Sequence, residues 1–360
     1  MHLISKEEEI EREMLTIVLK EAGYLKNNEV TEVLVKPYEG PLFASAIYFL
    51  TLCYRNSTSL PKNMILKLKR ERTEVDFYNF VRNNKQLEHF LISSYSAVWD
   101  ENIGQSHLLM DDLSRTHFIF DDYSPISDDY IGLIIDILAD LHAFFWEYPE
   151  SSSNNSLFKK GWWWRDSSFL INVKERSKEY SDFVNTESET LSVTDIELYS
   201  KFIDALPALW KNYFKPRFKS NKNLTLTHGD CFHWQFFLPE EQDSSKVMMM
   251  DFDFAVVNSP AIDICLLIAT HCSSEYRSQG GRELKLITRY LDRLRSKGVI
   301  NYSKDEFMKD YVILIGCNIL WTFKDRFRGC GREWWEPKLK CLTSAFKDLA
   351  GEKIIDELLN

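Results

Sequence analysis

The chain has 360 residues, enough for a large hydrophobic core, and its 44% apolar and 27% charged residues are ordinary for a globular protein. Its 54 acidic residues outnumber 44 basic ones, and the net charge of −10 argues against a nucleic-acid binder while mildly favouring a neutral or cationic substrate. Seven cysteines, odd in number and without a Cys-x-x-Cys pair, fit reduced thiols rather than disulfides or zinc.

The opening MHLISKEEEIERE is acidic and helical in pattern rather than a signal peptide, and the apolar run 311–322 is too short for a membrane span. These features predict a soluble, cytoplasmic protein with no membrane partner. Residues 4–24 read as an amphipathic helix: Ser5 stands as N-cap with Glu8 three positions on, Ile10, Met14, Ile17, Val18 and Ala22 keep the period, and Gly23 ends it. Three strands follow, at 30–36, 46–54 and 63–69. Between the first two, Pro37-Tyr38-Glu39-Gly40-Pro41 reads as a plain hairpin turn or as a loop over phosphates with Gly40 as its single glycine. The third strand, Met64-Ile65-Leu66-Lys67-Leu68-Lys69, puts two lysines on one face, and a helical segment with Glu74 and Tyr78 comes next. Solvated edge-strand lysines are the plain alternative.

Two more strand-like runs, 94–99 and His107-Leu108-Leu109-Met110-Asp111-Asp112-Leu113, end in a polar turn. Beyond them the pattern is mainly helical. Asp128 and Asp129 cap a helix with Ile131, Ile134, Ile135, Leu138, Leu141, His142 and Phe145 on its apolar side, and 147–156 reads as a surface insertion. Further helices are predicted at 168–183, 193–216, 282–297, 304–328 and 337–358. Trp162-Trp163-Trp164 and Trp334-Trp335 either fill the core between helices or wall a substrate pocket.

The chemistry concentrates in 224–263, LTLTHGDCFHWQFFLPEEQDSSKVMMMDFDFAVVNSPAID. Two apolar strand pieces, 224–227 and 247–250, each deliver an acid: Asp230 in His228-Gly229-Asp230, and Asp251 in Asp251-Phe252-Asp253. A polar segment with Pro239 and Ser244-Ser245 turns the chain back between them, so that the acids can converge. One carboxylate that accepts a proton and one that holds a divalent cation are the minimum apparatus for moving a phosphoryl group. Gln235 stands five positions after Asp230, where the protein-kinase pattern has Asn, and Asp251-Phe252 fits the start of Asp-Phe-Gly. For either acid alone, a turn cap is the plain reading.

The run HGDCFHWQFFLP…MMMDFDFAVVNSPAIDI resembles the aminoglycoside phosphotransferase and choline kinase-like group of small-molecule kinases, and within it the ecdysteroid kinase-like branch. That resemblance implies an α+β, two-lobed protein-kinase-like fold. A small mixed α/β N-lobe with an antiparallel sheet (1–112) would bind nucleotide; a larger, mainly helical C-lobe (113–360) would carry the catalytic loop, metal site and substrate-binding helices. The implied reaction transfers the γ-phosphate of ATP, with Mg²⁺, to a hydroxyl of an aminoglycoside-, choline-, sugar- or steroid-like small molecule. Asp230 would take or orient the hydroxyl proton and His228 would brace its loop. Asp251 would hold Mg²⁺, with Gln235 carrying its carbonyl oxygen one methylene further than the family's Asn. Lys67, or Lys69 on the same strand face, would hold the α- and β-phosphates with Glu74, since Glu74 and Tyr78 match the family's Glu-x-x-x-Tyr helix. Met110 would lie near the adenine ring at the hinge, with Asp111 or Asp112 beginning the crossover, and Gly40 would lie in the loop over the phosphates. Asp253 either approaches metal or substrate or caps a turn; Asp263 would tie the catalytic loop, and His142, in Leu141-His142-Ala143, would be a packed helix histidine. No Ala-Pro-Glu follows Asp251, which speaks against protein substrates. The alternative is a catalytically weak or inactive nucleotide-binding scaffold, favoured by Gln235 and the single-glycine loop. Hydrolase motifs (Gly-x-Ser-x-Gly, His-Glu-x-x-His) are absent. The motifs do not choose the acceptor, ATP over GTP, or an oligomeric state.

Overall fold

The computed structural model describes residues 1–40, 45–120, 126–148, 169–187, 191–240 and 247–359. The chain divides into two compact units. One holds Met1–Ile119 and Trp234–Ala255; the other holds Phe120–Ser152, Phe158–His233 and Val256–Asn360. A single cut after residue 112 does not describe this division, because the chain returns to the first unit at Trp234. Strand pairing is the reason: β8 (Phe236–Pro239) joins β6 (His117–Phe118) on one side and β9 (Met248–Met249) on the other.

The first unit is built on a five-stranded antiparallel sheet in the order β1-β2-β3-β5-β4. Its strands are β1 (Val30–Pro37), β2 (Ser45–Tyr54), β3 (Asn63–Lys69), β4 (Ser94–Asp100) and β5 (Gln105–Asp111). Leu50, Leu52, Met64, Leu66 and Leu109 form a core with Leu15, Val18 and Leu19 of helix α1 (Arg12–Glu21). The predicted helix 4–24 is shorter than its periodicity. Ser5 donates from its N–H and hydroxyl to Glu9 rather than Glu8, a 3-10 turn covers Glu7–Glu9, and the chain bends at Ile10 before α1 begins. Ile4 and Ile10 are both buried. On a continuous helix, positions six apart point about 120° away from each other; the bend lets both enter the core.

Helix α2 (Thr73–Arg82) buries Glu74, Val75, Phe77, Tyr78 and Val81. Phe77 stacks on Phe252 with ring centroids 3.9 Å apart. That stack pins the helix carrying Glu74 against the turn that carries Asp251.

The second unit is mainly helical. Helix α3 (Asp128–Phe144) is capped by Ser127, whose hydroxyl accepts the Tyr130 N–H, so the two aspartates occupy the first turn rather than the cap. Helices α4 (Phe169–Glu187), α5 (Val193–Leu209) and α6 (Lys215–Ser220) follow, the last two joined by a π-helical stretch at Trp210–Phe214. The short strands β7 (Thr225–Thr227) and β10 (Val256–Asn258) pair antiparallel. After α7 (Ala261–Ile264) and α8 (Ser274–Ser278) come α9 (Arg282–Ser296) and α10 (Lys304–Phe327), close to their predicted spans. The predicted helix 337–358 is two, α11 (Arg332–Asp348) and α12 (Gly351–Leu359), separated where Ala350 takes φ 52°. Among the described residues, no helix is long and apolar enough to cross a membrane.

Candidate active site

In the first unit, five charged side chains from β3, α2 and the segment after β9 meet. Lys67 and Lys69 lie two apart on β3 and therefore on one face. The Lys67 ammonium donates to Glu74 Oε2 at 2.7 Å and to Asp251 Oδ1 at 2.8 Å. The Lys69 ammonium also donates to Asp251 Oδ1, at 2.8 Å, and pairs with Asp253, while Glu74 is 3.9 Å away. Both lysine side chains and Glu74 are buried; Asp251 is one-third exposed. Burial works to raise the Asp251 carboxyl, yet the charges and hydrogen bonds of the two lysines hold it below the usual carboxylate range. Burial likewise works to lower Lys67, and Glu74 and Asp251 outweigh it. Lys69 is pushed down, by burial first and then by the neighbouring Lys67 charge.

Asp251 is held in a left-handed backbone, φ 63° and ψ 60°, a conformation that Asp and Asn tolerate better than most side chains. The Met250 N–H donates to the Gln235 carbonyl at 3.1 Å, which fixes Gln235 beside the turn. The Gln235 amide nitrogen is 3.5 Å from Asp251 Oδ2, the oxygen the lysines leave alone. Reversing that amide would present its carbonyl oxygen to the same place. Asp253 Oδ1 is buried without a hydrogen-bond partner among the described residues. The donors are hard oxygens, as a magnesium ion requires.

Elsewhere in this unit, Met110 is buried inside the sheet, opposite Ile65 and Ser94. The Asp111 N–H donates to the Ser93 carbonyl at 3.0 Å, and its carboxylate accepts the Tyr95 hydroxyl at 2.5 Å. Gly40 sits beneath the Tyr38 ring, where an added Cβ would come within 2.2 Å of the tyrosine hydroxyl. The loop beyond it, 41–44, lies outside the described residues, as do Trp162-Trp163-Trp164.

The second unit presents Asp230 at the end of β7. The Thr225 hydroxyl donates to the His142 carbonyl at 2.8 Å and so ties the strand to α3. Gly229, at φ 80°, then turns the chain. The Asp263 carboxylate accepts the N–H of His228 at 2.7 Å and of Gly229 at 2.9 Å, and it lies 3.0 Å from His142 Nε2. His142 Nδ1 is 2.7 Å from the Tyr290 hydroxyl, and His228 Nδ1 accepts the Asp230 N–H at 3.3 Å. Asp263, His142 and His228 are all fully buried, whereas Asp230 is partly exposed. The arrangement presents a carboxylate on a loop that a second, buried carboxylate braces. The tie by Asp263 was legible from its motif. The His142 partner was not, although an apolar helix face with a histidine on it already demands some polar partner.

Of the tryptophans, Trp335 is 4% exposed and packs edge-on against Phe183, a core position. Trp334 is half-buried, with the Lys338 ammonium 3.4 Å from its ring centroid.

A family model described as the ecdysteroid kinase-like family matches residues 71–298. None of the curated proteins matches the sequence. Among solved structures, a microcompartment-associated aminopropanol kinase superposes with a TM-score of 0.54 at 12% identity, covering 96% of this chain and 98% of its own. An amicoumacin kinase in complex with AMP-PNP, Ca²⁺ and Ami gives 0.52 at 14% identity, over 95% and 93%. Choline kinase from Cryptosporidium parvum gives 0.51 at 11% identity, over 96% of each chain. Such likeness is one of fold, and the fold is the two-lobed, protein-kinase-like one that the motifs imply.

Proposed function

Since this chain belongs to the ecdysteroid kinase-like family, we propose that it is an ATP-dependent phosphotransferase acting on a hydroxyl group of a small molecule. The observation that carries this reading is the Lys67–Glu74 pair at 2.7 Å with Asp251 in the same network. A lysine oriented by a helix glutamate is the kinase device for gripping the α- and β-phosphates, and the acid of the second motif is the one that holds metal. The fold's likeness to kinases named for aminopropanol, choline and amicoumacin supports a small-molecule acceptor, with sugar- and steroid-like hydroxyls also in view.

In this reading Asp251 Oδ2 and the Gln235 amide oxygen would hold Mg²⁺, which when bound neutralises phosphate oxygens. Lys67 moves its hydrogen bonds from Asp251 to the phosphates while Glu74 keeps its aim. Asp230 accepts the acceptor's hydroxyl proton as the new oxygen–phosphorus bond forms and the bond from the γ-phosphorus to the β-phosphate oxygen breaks, leaving ADP. His228 and Asp263 hold Asp230 in position and take no part in the bond changes.

A nucleotide-binding scaffold without turnover is the second reading. The double engagement of Asp251 Oδ1 by Lys67 and Lys69 favours it. A thermal-shift titration with ATP, with and without Mg²⁺, separates the two when Asp251→Asn is run alongside. A phosphotransferase is expected to gain about 2.7 kcal/mol at a hundredfold excess of ligand over its dissociation constant. That gain should need magnesium and vanish in the variant. A magnesium-independent shift favours the scaffold, and no shift with any nucleotide refutes both.

A further inference from the structure

Lys69 has no role in the chemistry just described. Its side chain is 8% exposed, its ammonium lies 2.8 Å from Asp251 Oδ1, and it pairs with Asp253 as well. Glu74 is left to Lys67, at 2.7 Å against 3.9 Å for Lys69. Buried ion pairs add little net stability, and well-packed apolar residues in place of all the partners would often serve the fold equally well. The second ammonium is therefore better explained by what it does to the acids it touches. Kinases of the protein-kinase type spread the phosphate charge over two divalent ions, held by the acid of the second motif and an Asn of the catalytic loop. In this chain Gln235 replaces that Asn, and Asp251 gives one of its two oxygens entirely to lysines, keeping only Oδ2 toward Gln235.

Resting on the phosphotransferase reading, we propose that Lys69 is a built-in cation of the nucleotide site, seated between Asp251 and Asp253 in place of one of the two divalent ions. The chain then binds ATP with a single divalent ion. Three carboxylates, of Glu74, Asp251 and Asp253, face two ammoniums, leaving one net negative charge. Without Lys69 the same acids would carry two, and Asp253 Oδ1, buried and unpartnered among the described residues, would be available as a further donor. A lysine in this role needs no recruitment from solution, and its position is set by the strand.

The test is a count of bound Mn²⁺ per chain at saturating AMP-PNP, read from the loss of the free Mn²⁺ signal in electron paramagnetic resonance. One ion is expected for the wild type and for Lys69→Arg, which keeps the charge. Two are expected for Lys69→Met and Lys69→Gln, a pair chosen so that one folded variant suffices. Two ions in the wild type overturn the inference, as does a single ion in the charge-removing variants, because Lys69 would then not be what keeps a second ion out. If AMP-PNP brings no Mn²⁺ to any of these proteins, the phosphotransferase reading itself fails and takes this inference with it.

Discussion

The Asp263 carboxylate lies 3.0 Å from His142 Nε2, and neither side chain is exposed to solvent. A buried carboxylate is tolerated only when its oxygens are filled, and these are filled by the imidazole and by the backbone N–H groups of His228 and Gly229. The pair joins α3 to the loop that presents Asp230. Asp263→Ala would strand two backbone donors and the imidazole at once. The expected cost is about 3–5 kcal/mol in urea unfolding. A loss below about 1 kcal/mol would mean that the loop holds its shape without this brace.

Asp230→Asn keeps the shape of the side chain and removes its capacity to take a proton. Turnover should fall by about 10²–10⁴-fold, the usual worth of a general base. The nucleotide-induced thermal shift should stay as in the wild type, since the proposed grip on the nucleotide is that of Lys67 with Glu74 and Asp251. Turnover within a few-fold of wild type would remove Asp230 from the role.

Gln235→Asn shortens the amide by one methylene. It should be tolerated or mildly activating, because a side-chain amide that can turn its carbonyl oxygen toward Asp251 Oδ2 is kept. The measurement is the magnesium dependence of turnover. A collapse in apparent magnesium affinity would show that the site is built around the longer side chain.

His107 is fully buried in the first unit, with Nδ1 accepting the Ile4 N–H at 2.9 Å and Nε2 2.8 Å from the Ser96 hydroxyl. Burial pushes its pKa down from 6.5 to about 4. Between those values the unfolded chain holds a proton that the folded chain refuses, so stability falls as pH drops through this window and is complete above it. From pH 7 to pH 5 the expected loss is about 2 kcal/mol, at 1.36 kcal/mol per unit. His107→Gln should flatten that slope, read as the change in urea midpoint between the two pH values. An unchanged slope would show that some other group dominates it.

Much of the site was legible before any fold was known. The two acids announce themselves by motif, and the alternation of 63–69 puts Lys67 and Lys69 on one face within a strand observed at Asn63–Lys69. Local patterns of this kind report which side of an element is buried and what backbone a short run prefers. They do not report what lies opposite. The contact between Lys67 and Asp251 spans 184 positions, and that between His142 and Asp263 spans 121. No periodicity encodes either partner. The bend at Ile10 and the break at Ala350 were hidden for the same reason, since each interrupts a pattern that would happily continue as helix. The amino-acid sequence by itself determined most of the elements, the family and the two acids. Tertiary structure alone decided which lysine meets Glu74, what fills the oxygens of Asp263, and that Asp251 shares one oxygen between two ammoniums, because buried charges settle only against the partners that packing brings within reach.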